Sequence, residues 1–170
     1  MTRYTARPIE EAALKELRTT DDAGRPCRPY TATAQDAGSP LRCCLTPIRE
    51  GERIALVSYA PLRRWAAATG ADPGAYDEQG PVFLHAHAED CGGYVPDPGR
   101  YPFDRTGALR TLRRYDARGH IVGGRLLEIP ADATAAFDAA LDEAFTDPDV
   151  ALVHVRAVEY GCLHFEVRRP

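Results

Sequence analysis

The C-terminal residues 151–168 constrain the fold most, because apolar and polar residues alternate through them on both sides of Gly161. Alternation with a period of two is typical of strands that have one buried face. Glycine readily adopts the positive φ that short hairpin loops need, so we predict a hairpin with a three-residue loop at 159–161. This register places His154 opposite Glu166, and a slip of one residue would exchange the two faces.

The predicted register gives the hairpin one polar and one apolar face. It also pairs Arg156 with His164 and Val158 with Cys162. The polar face then carries five side chains: His154, Arg156, Cys162, His164 and Glu166. The opposite face, which we expect to be buried against a helix or a second layer, carries Val153, Val155, Ala157, Leu163, Phe165 and Val167. The polar face can bind a metal or transfer protons, but no motif in it names a substrate or a reaction.

Hairpins also dominate the rest of the predicted secondary structure. Apolar spacing predicts helices at residues 8–17, 61–70 and 131–145. Apolar, β-branched runs bounded by turn residues predict strands at 41–48, 53–59, 81–87, 109–115 and 120–129. About seven strands in local hairpin order indicate an α+β fold, with a mostly antiparallel sheet and two or three helices packed on it. With 170 residues and 44% hydrophobic content, we expect one domain spanning residues 1–170.

Several classes of partner and location are disfavoured by the composition. The N-terminus lacks the apolar segment of a secretion signal, and no run of eighteen apolar residues is present, so we expect no membrane association. We therefore expect a cytoplasmic protein whose five cysteines are thiols or metal ligands rather than disulfides. The net charge is −4 and positive and negative residues are interspersed, so the sequence has no basic patch of the kind that binds nucleic acid. The expected partner is a small molecule, and no feature of the sequence indicates an oligomeric state.

A second group of candidate residues lies at 80–91. On a strand, His85 and His87 point to the same side, and Cys91 lies near enough beyond the strand end to fold back toward them. These three ligands suit zinc, with a fourth supplied by His154, Cys162 or His164 of the C-terminal hairpin. A spare coordination position would then activate water in a hydrolase-like enzyme. Cys43 and Cys44 fall within the predicted strand at 41–48, so they should face opposite sides, and at most one can join any given cluster.

Other uses of the same residues remain open. Cys91 or Cys162 could be a nucleophile activated by His85, His154 or His164, and we name Cys91, His85 and His154 as candidate catalytic residues. A non-catalytic protein could instead bind a small anionic metabolite through Arg156 with Arg113 or Arg42, with the loop at 91–102 as a lid. In a third interpretation the Cys and His side chains only pack and hydrogen-bond in a structural or partner-binding domain without metal.

Short segments along most of the chain resemble a family pattern. They are residues 41–45, 51–52 with 58–61, 80–85, Cys91, 113–116, and 153–156 with 160–162. In this combination the chain is similar to the uncharacterised bacterial family called domain of unknown function 1203. The resemblance implies one domain and a shared site among Cys44, His85, Cys91, His154, Arg156 and Cys162, and implies no substrate. Tyr59 lies in one of these segments, and we group it with Arg156 and Arg113 as candidate ligand-binding residues.

Overall fold

Three helices and seven strands make up the chain, which a computed structural model describes over residues 1–170. The helices are α1 (Glu11–Leu17), α2 (Pro61–Thr69) and α3 (Ala133–Thr146). The strands are β1 (Tyr30–Thr31), β2 (Arg53–Tyr59), β3 (Gly80–His85), β4 (Leu109–Asp116), β5 (Ile121–Glu128), β6 (Val150–Ala157) and β7 (Leu163–Arg168). No helix combines the length and the hydropathy needed to cross a membrane.

The strands are divided between two antiparallel sheets. One has the order β1-β2-β3, and the other has the order β5-β4-β6-β7. The predicted strand at 53–59 and the predicted hairpin between 109 and 129 are both confirmed. The α+β class is therefore confirmed. Two of the five antiparallel strand pairs, β4–β5 and β6–β7, are local hairpins, and the other three join strands that longer segments separate.

Each face of the four-stranded sheet is covered by a helix. On one face, Phe137 of α3 packs in the same cluster as Val155 and Phe165. On the other face, Leu62 of α2 packs with Tyr115 and Leu152. The polar side of the C-terminal hairpin is consequently buried, and its polar groups need partners within the protein. Helix α1 packs in a separate cluster with the three-stranded sheet.

The predicted strand at 41–48 is wrong, because these residues form a tight turn. Leu41 N–H donates to Thr46 O at 2.9 Å, and Leu45 has a φ of 55°, in the left-handed region. Only isolated bridges remain, one of them between Pro40 and Pro47. Proline has no N–H for a ladder, and a residue at positive φ reverses the chain, so strand composition does not produce a strand here. The side chains of the turn therefore do not alternate between two faces.

The C-terminal hairpin follows the predicted register at its open end only. His154 pairs with Glu166, as predicted, and Gly161 has a φ of 68°. The predicted pairs Arg156–His164 and Val158–Cys162 are wrong, because a bulge shifts Arg156 opposite Leu163. Ala157 closes the loop instead, donating its N–H to Cys162 O at 3.0 Å and accepting from Gly161 N–H at 3.0 Å.

This bulge changes which side chains share a face. Since paired residues lie on the same side of a sheet, Leu163 joins Arg156 on the face of His154. His164 is the extra residue of the bulge, and its ring contacts Phe103 at 5.1 Å, with Phe103 packed on the α3 side. The predicted polar face of five side chains is therefore not formed as a unit.

Candidate metal centre

Three cysteines and one histidine converge between the turn at 41–46 and the end of β3. The ligand atoms of Cys43, Cys44, His85 and Cys91 all lie within 4.8 Å of one another. Cys43, Cys44 and His85 are buried, and Cys91 is half-buried. These are the residue types that bind zinc and other borderline or soft metal ions.

Local backbone contacts bring the four residues together. Arg42 N–H donates to Phe83 O at 2.9 Å, which ties the turn at 41–46 alongside β3. His85 ends β3, and its N–H donates to Cys43 Sγ at 3.2 Å. A single 3-10 turn, Ala88–Asp90, then reverses the chain and returns Cys91 toward His85, as the spacing predicts. The expectation that Cys43 and Cys44 face opposite sides is wrong, because both side chains point into the cluster.

Three distances describe the closest part of the cluster. The two sulfur atoms of Cys43 and Cys44 are 3.9 Å apart. The Nδ1 atom of His85 lies 3.4 Å from Cys43 Sγ and 3.8 Å from Cys44 Sγ. These atoms form a compact triangle of two sulfurs and one nitrogen.

The two adjacent thiols differ in acidity. A hydrogen bond from the Cys43 thiol lowers the pKa of Cys44, and the Thr46 hydroxyl at 3.0 Å adds to this effect against the opposing effect of burial. The same bond to Cys44, together with burial, raises the pKa of Cys43. Cys44 is therefore the more acidic thiol of the pair, and the thiolate is the form of cysteine that binds metals.

Glu52 lies behind His85, on the side away from the sulfurs. Its Oε1 is 3.7 Å from His85 Nε2, and its Oε2 accepts from Arg49 N–H at 2.9 Å. Metal-binding histidines commonly have a carboxylate on the nitrogen that does not face the metal. Glu52 was not among the candidate site residues, because only the tertiary pairing of β2 with β3 places it there.

The other three candidate metal ligands lie elsewhere. His87 is exposed, beyond the end of β3 at His85. Cys162 and His164 belong to the C-terminal hairpin of the other sheet and are not part of the cluster. The adjacent Cys43 and Cys44 take the places that we expected His87 and one residue of that hairpin to fill.

His154 is also remote from the cluster, so the structure does not join it to Cys91 and His85 as one catalytic group. It is fully buried, its Nε2 lies 3.4 Å from Glu166 Oε2, and its ring packs 4.7 Å from that of Tyr115. Burial lowers the pKa of His154, so the ring is neutral at pH 7 and donates its Nε2 hydrogen to Glu166. Burial would raise the pKa of Glu166, but the hydrogen bonds from His154 and Arg168 lower it.

The candidate anion-binding arginines of β4 and β6 already share a carboxylate. Arg113 and Arg156 both pair with Glu78 Oε1, at 2.7 Å and 2.9 Å. Tyr59 and Arg156 line a cavity of about 190 Å³ that Glu78 lines as well. Burial raises the pKa of the Tyr59 hydroxyl, so it is neutral there. An anion at this place would have to displace Glu78.

Comparison with known proteins identifies the chain only at the level of a family. A family model described as a protein of unknown function (DUF1203) matches residues 38–169. Comparison with curated proteins gave no match, and comparison with solved structures gave none. All four residues of the Cys/His cluster fall within the matched segment.

Proposed function

Because the family match covers most of the chain, the protein belongs to the DUF1203 family, and we propose from its site that it binds one zinc ion through Cys43, Cys44, His85 and Cys91. The family description names no activity, so the proposal depends on the chemistry and geometry of these four residues. Three sulfurs and one imidazole nitrogen form one of the usual donor sets of structural zinc.

The spacing of the donor atoms carries the proposal. Zinc forms bonds of about 2.3 Å to sulfur and about 2.0–2.1 Å to nitrogen, so a tetrahedral ion holds two sulfurs about 3.8 Å apart and a sulfur and a nitrogen about 3.6 Å apart. The corresponding distances are 3.9 Å between the two sulfurs, and 3.4 Å and 3.8 Å from sulfur to nitrogen. Each of these three distances agrees within about 0.2 Å with the tetrahedral value. The Cys91 sulfur lies within 4.8 Å of the other three donor atoms, so it has to move closer when the ion binds.

Four protein ligands favour a structural role for the metal over a catalytic one. Catalytic zinc keeps a coordination position for water, and a set of three cysteines and one histidine fills all four. The metal would fasten the turn at 41–46 to the end of β3, where few other backbone bonds are available. We also propose a location in the bacterial cytoplasm, where reducing conditions keep the cysteines as thiols, in agreement with the absence of any disulfide among the five.

Metal analysis of protein purified without an affinity tag tests this function. We expect about one zinc ion per chain, and we expect chelation to lower the free energy of unfolding by about 3 kcal/mol relative to protein with zinc at a hundredfold excess over Kd. Titration of the metal-free protein with Co²⁺ should produce visible bands of tetrahedral coordination with a thiolate charge-transfer band. Glu52→Gln should weaken metal binding about tenfold to a hundredfold, because the carboxylate orients His85.

Cysteine substitutions provide the matched comparison. Cys43→Ser and Cys91→Ser should lose most of the zinc, whereas Cys27→Ser should retain it, because Cys27 lies outside the cluster. If the wild type binds substoichiometric zinc and gives no thiolate charge-transfer band with Co²⁺, the proposal is wrong. Equal zinc content in Cys43→Ser and Cys27→Ser would contradict it as well.

A further inference from the structure

We infer that the cleft between the two sheets is a binding site for a small organic anion, a carboxylate or a phosphate monoester with an apolar body, held by Arg42, Arg110 and His164. The cleft has a volume of about 1110 Å³ and is lined by residues of both sheets and of the turn at 41–46. Its walls carry four arginines and two carboxylates, a difference of two positive charges. This site is separate from the metal centre and from the arginines paired with Glu78.

Two of these arginines are buried without a carboxylate partner. Arg42 and Arg110 are 4% and 6% exposed, and neither forms an ion pair. Arg42 donates its Nε to Leu163 O at 2.7 Å and its Nη1 to Pro40 O, and its Nη2 donates to no protein group. Burying a charge without an opposite charge is strongly unfavourable, so an arginine kept in this state indicates an external counterion.

Arg110 is held by backbone carbonyl groups rather than by acids. Its Nη1 donates to Leu109 O at 2.7 Å and its Nη2 donates to Phe103 O at 2.8 Å. Asp104 pairs with Arg100. Burial lowers the pKa of Arg110, and the nearby exposed Glu159 opposes this shift without coming within ion-pair distance of the guanidinium. The contrast with Arg113 and Arg156, which share Glu78, is direct.

Unpartnered donor atoms lie in the same wall. Buried Nε of Arg110 and buried Nδ1 of His164 have no hydrogen-bond partner. His164 is 6% exposed and lies close enough to Arg110 and Arg42 for both to affect its titration. A neutral imidazole carries one N–H, so an anion in the cleft would receive hydrogen bonds from it and from the arginines.

Backbone strain and apolar surface define the remainder of the site. Leu45 and Phe103 are the two non-glycine residues at positive φ, at 55° and 58°, and both line this cleft. Strained residues of this kind cluster at ligand sites. Their side chains, with Phe83 and the exposed Leu56, form an apolar wall. A ligand with a charged head and an apolar body matches these surroundings, whereas inorganic phosphate would fill only the charged end.

Calorimetric titrations with benzoate and phenyl phosphate test the inference, with benzamide as the neutral analogue. We expect saturable binding of at least one of the two anions by the wild type and none of benzamide, and the preferred anion distinguishes carboxylate from phosphate ligands. Arg110→Gln and Arg42→Gln should each weaken binding about tenfold or more, because each removes a charge-assisted hydrogen bond. Arg28→Gln removes the same charge from an exposed arginine without side-chain partners and should leave the affinity unchanged.

If a variant does not fold, a measurement on the wild type alone tests whether the anion binds at these arginines. In ¹⁵N-labelled protein, the Nε–H signals of Arg42 and Arg110 should move with the bound anion and remain in place with benzamide. The inference is overturned if neither anion binds saturably, if benzamide binds as tightly as the anions, or if folded Arg110→Gln keeps the wild-type affinity. None of these variants alters a zinc ligand. Arg42 is next to Cys43, so Arg42→Gln is interpreted only at unchanged zinc content, whereas Arg110→Gln tests the anion site apart from the metal centre.

Discussion

The two buried histidines of the C-terminal hairpin differ in whether an acid lies beside the ring. This difference distinguishes a structural histidine from a candidate ligand-binding one. His154 of β6 is enclosed on one face of the sheet, where it donates to Glu166, and Glu166 also accepts from Arg168 at 2.5 Å. His164 of β7 lies on the other face, with Arg42 and Arg110 nearby and no acid beside it. The Nδ1 atom of each ring is buried without a hydrogen-bond partner, so that atom does not distinguish the two. Both rings are more than nine-tenths buried, but only His154 has an acid beside it.

The difference indicates how buried polar groups should be interpreted in this fold. On the His154 face each of these arginines has an acid in contact, since Arg168 pairs with Glu166 and Arg113 and Arg156 share Glu78. A charge that is matched in this way maintains the packing of the sheet and needs no counterion from outside the protein. On the His164 face the buried Arg42 and Arg110 have no acid in contact, so that face is the one suited to an anionic ligand. The candidate catalytic role of His154 accordingly has less support than a structural one.

Removal of the acid from the matched face should give the largest effect. Glu166→Ala leaves the Nε2 hydrogen of the fully buried His154 without an acceptor and leaves Arg168 without its nearest acid. We expect the free energy of unfolding, measured in urea, to fall by about 3 to 5 kcal/mol. Glu10→Ala is the control, because Glu10 also pairs with Arg168 but is largely exposed, and it should change stability by less than about 1 kcal/mol. Equal losses in the two variants would contradict the distinction.

The turn between β6 and β7 should be the next most sensitive position. Gly161 has a φ of 68°, and an added Cβ would meet no atom within 4 Å, so Gly161→Val introduces backbone strain without a steric clash. We expect a loss of about 1 to 3 kcal/mol in urea unfolding. Gly80→Val, at a glycine without positive φ and with equal space, should stay within about 0.5 kcal/mol of the wild type. A neutral Gly161→Val would show that the loop can close in another conformation.

Sequence patterns predict the matched face better than the unmatched one. Alternation and the position of Gly161 are sufficient to place His154 opposite Glu166, because both follow from the period of a strand. The bulge at His164 leaves no mark in the alternation, so the faces near the loop were assigned incorrectly. The position of Arg110 was recognisable from the sequence, because it lies two residues from Leu112 and therefore on the same, inward-facing side of the strand. We did not name it as a candidate.

The metal centre was half predictable for a similar reason. His85 and Cys91 are close in sequence, and a short reversal after β3 is enough to bring them together. Cys43 and Cys44 are brought next to His85 by the bridge between Leu41 and Phe83, which joins segments that are distant in the sequence. Apolar, β-branched composition at 41–48 resembles that of a strand, and only the tertiary contact and the positive φ of Leu45 make it a turn.

The smallest predicted effect is a pH dependence of stability that arises from His164 on the unmatched face. Burial, followed by the charges of Arg110 and Arg42, lowers the pKa of His164 to about 3, so the folded protein keeps this ring neutral while the unfolded chain takes up a proton near pH 6.5. A lowered folded pKa stabilises the protein above the unfolded pKa, and this stabilisation is lost progressively as the pH falls from about 6.5 toward 3. His164→Phe keeps an aromatic ring against Phe103 and removes the titrating group.

Between pH 6.5 and 5.5 the wild type should therefore lose about 1 kcal/mol more stability than His164→Phe. Urea unfolding in Bis-Tris chloride measures the difference without adding a carboxylate or a phosphate. His154 also has a lowered pKa, and its contribution is common to both proteins and cancels. Parallel losses in the two proteins would mean that His164 accepts a proton in the folded state, as it could only if an acid or open water reached it, and the contrast with His154 would then disappear.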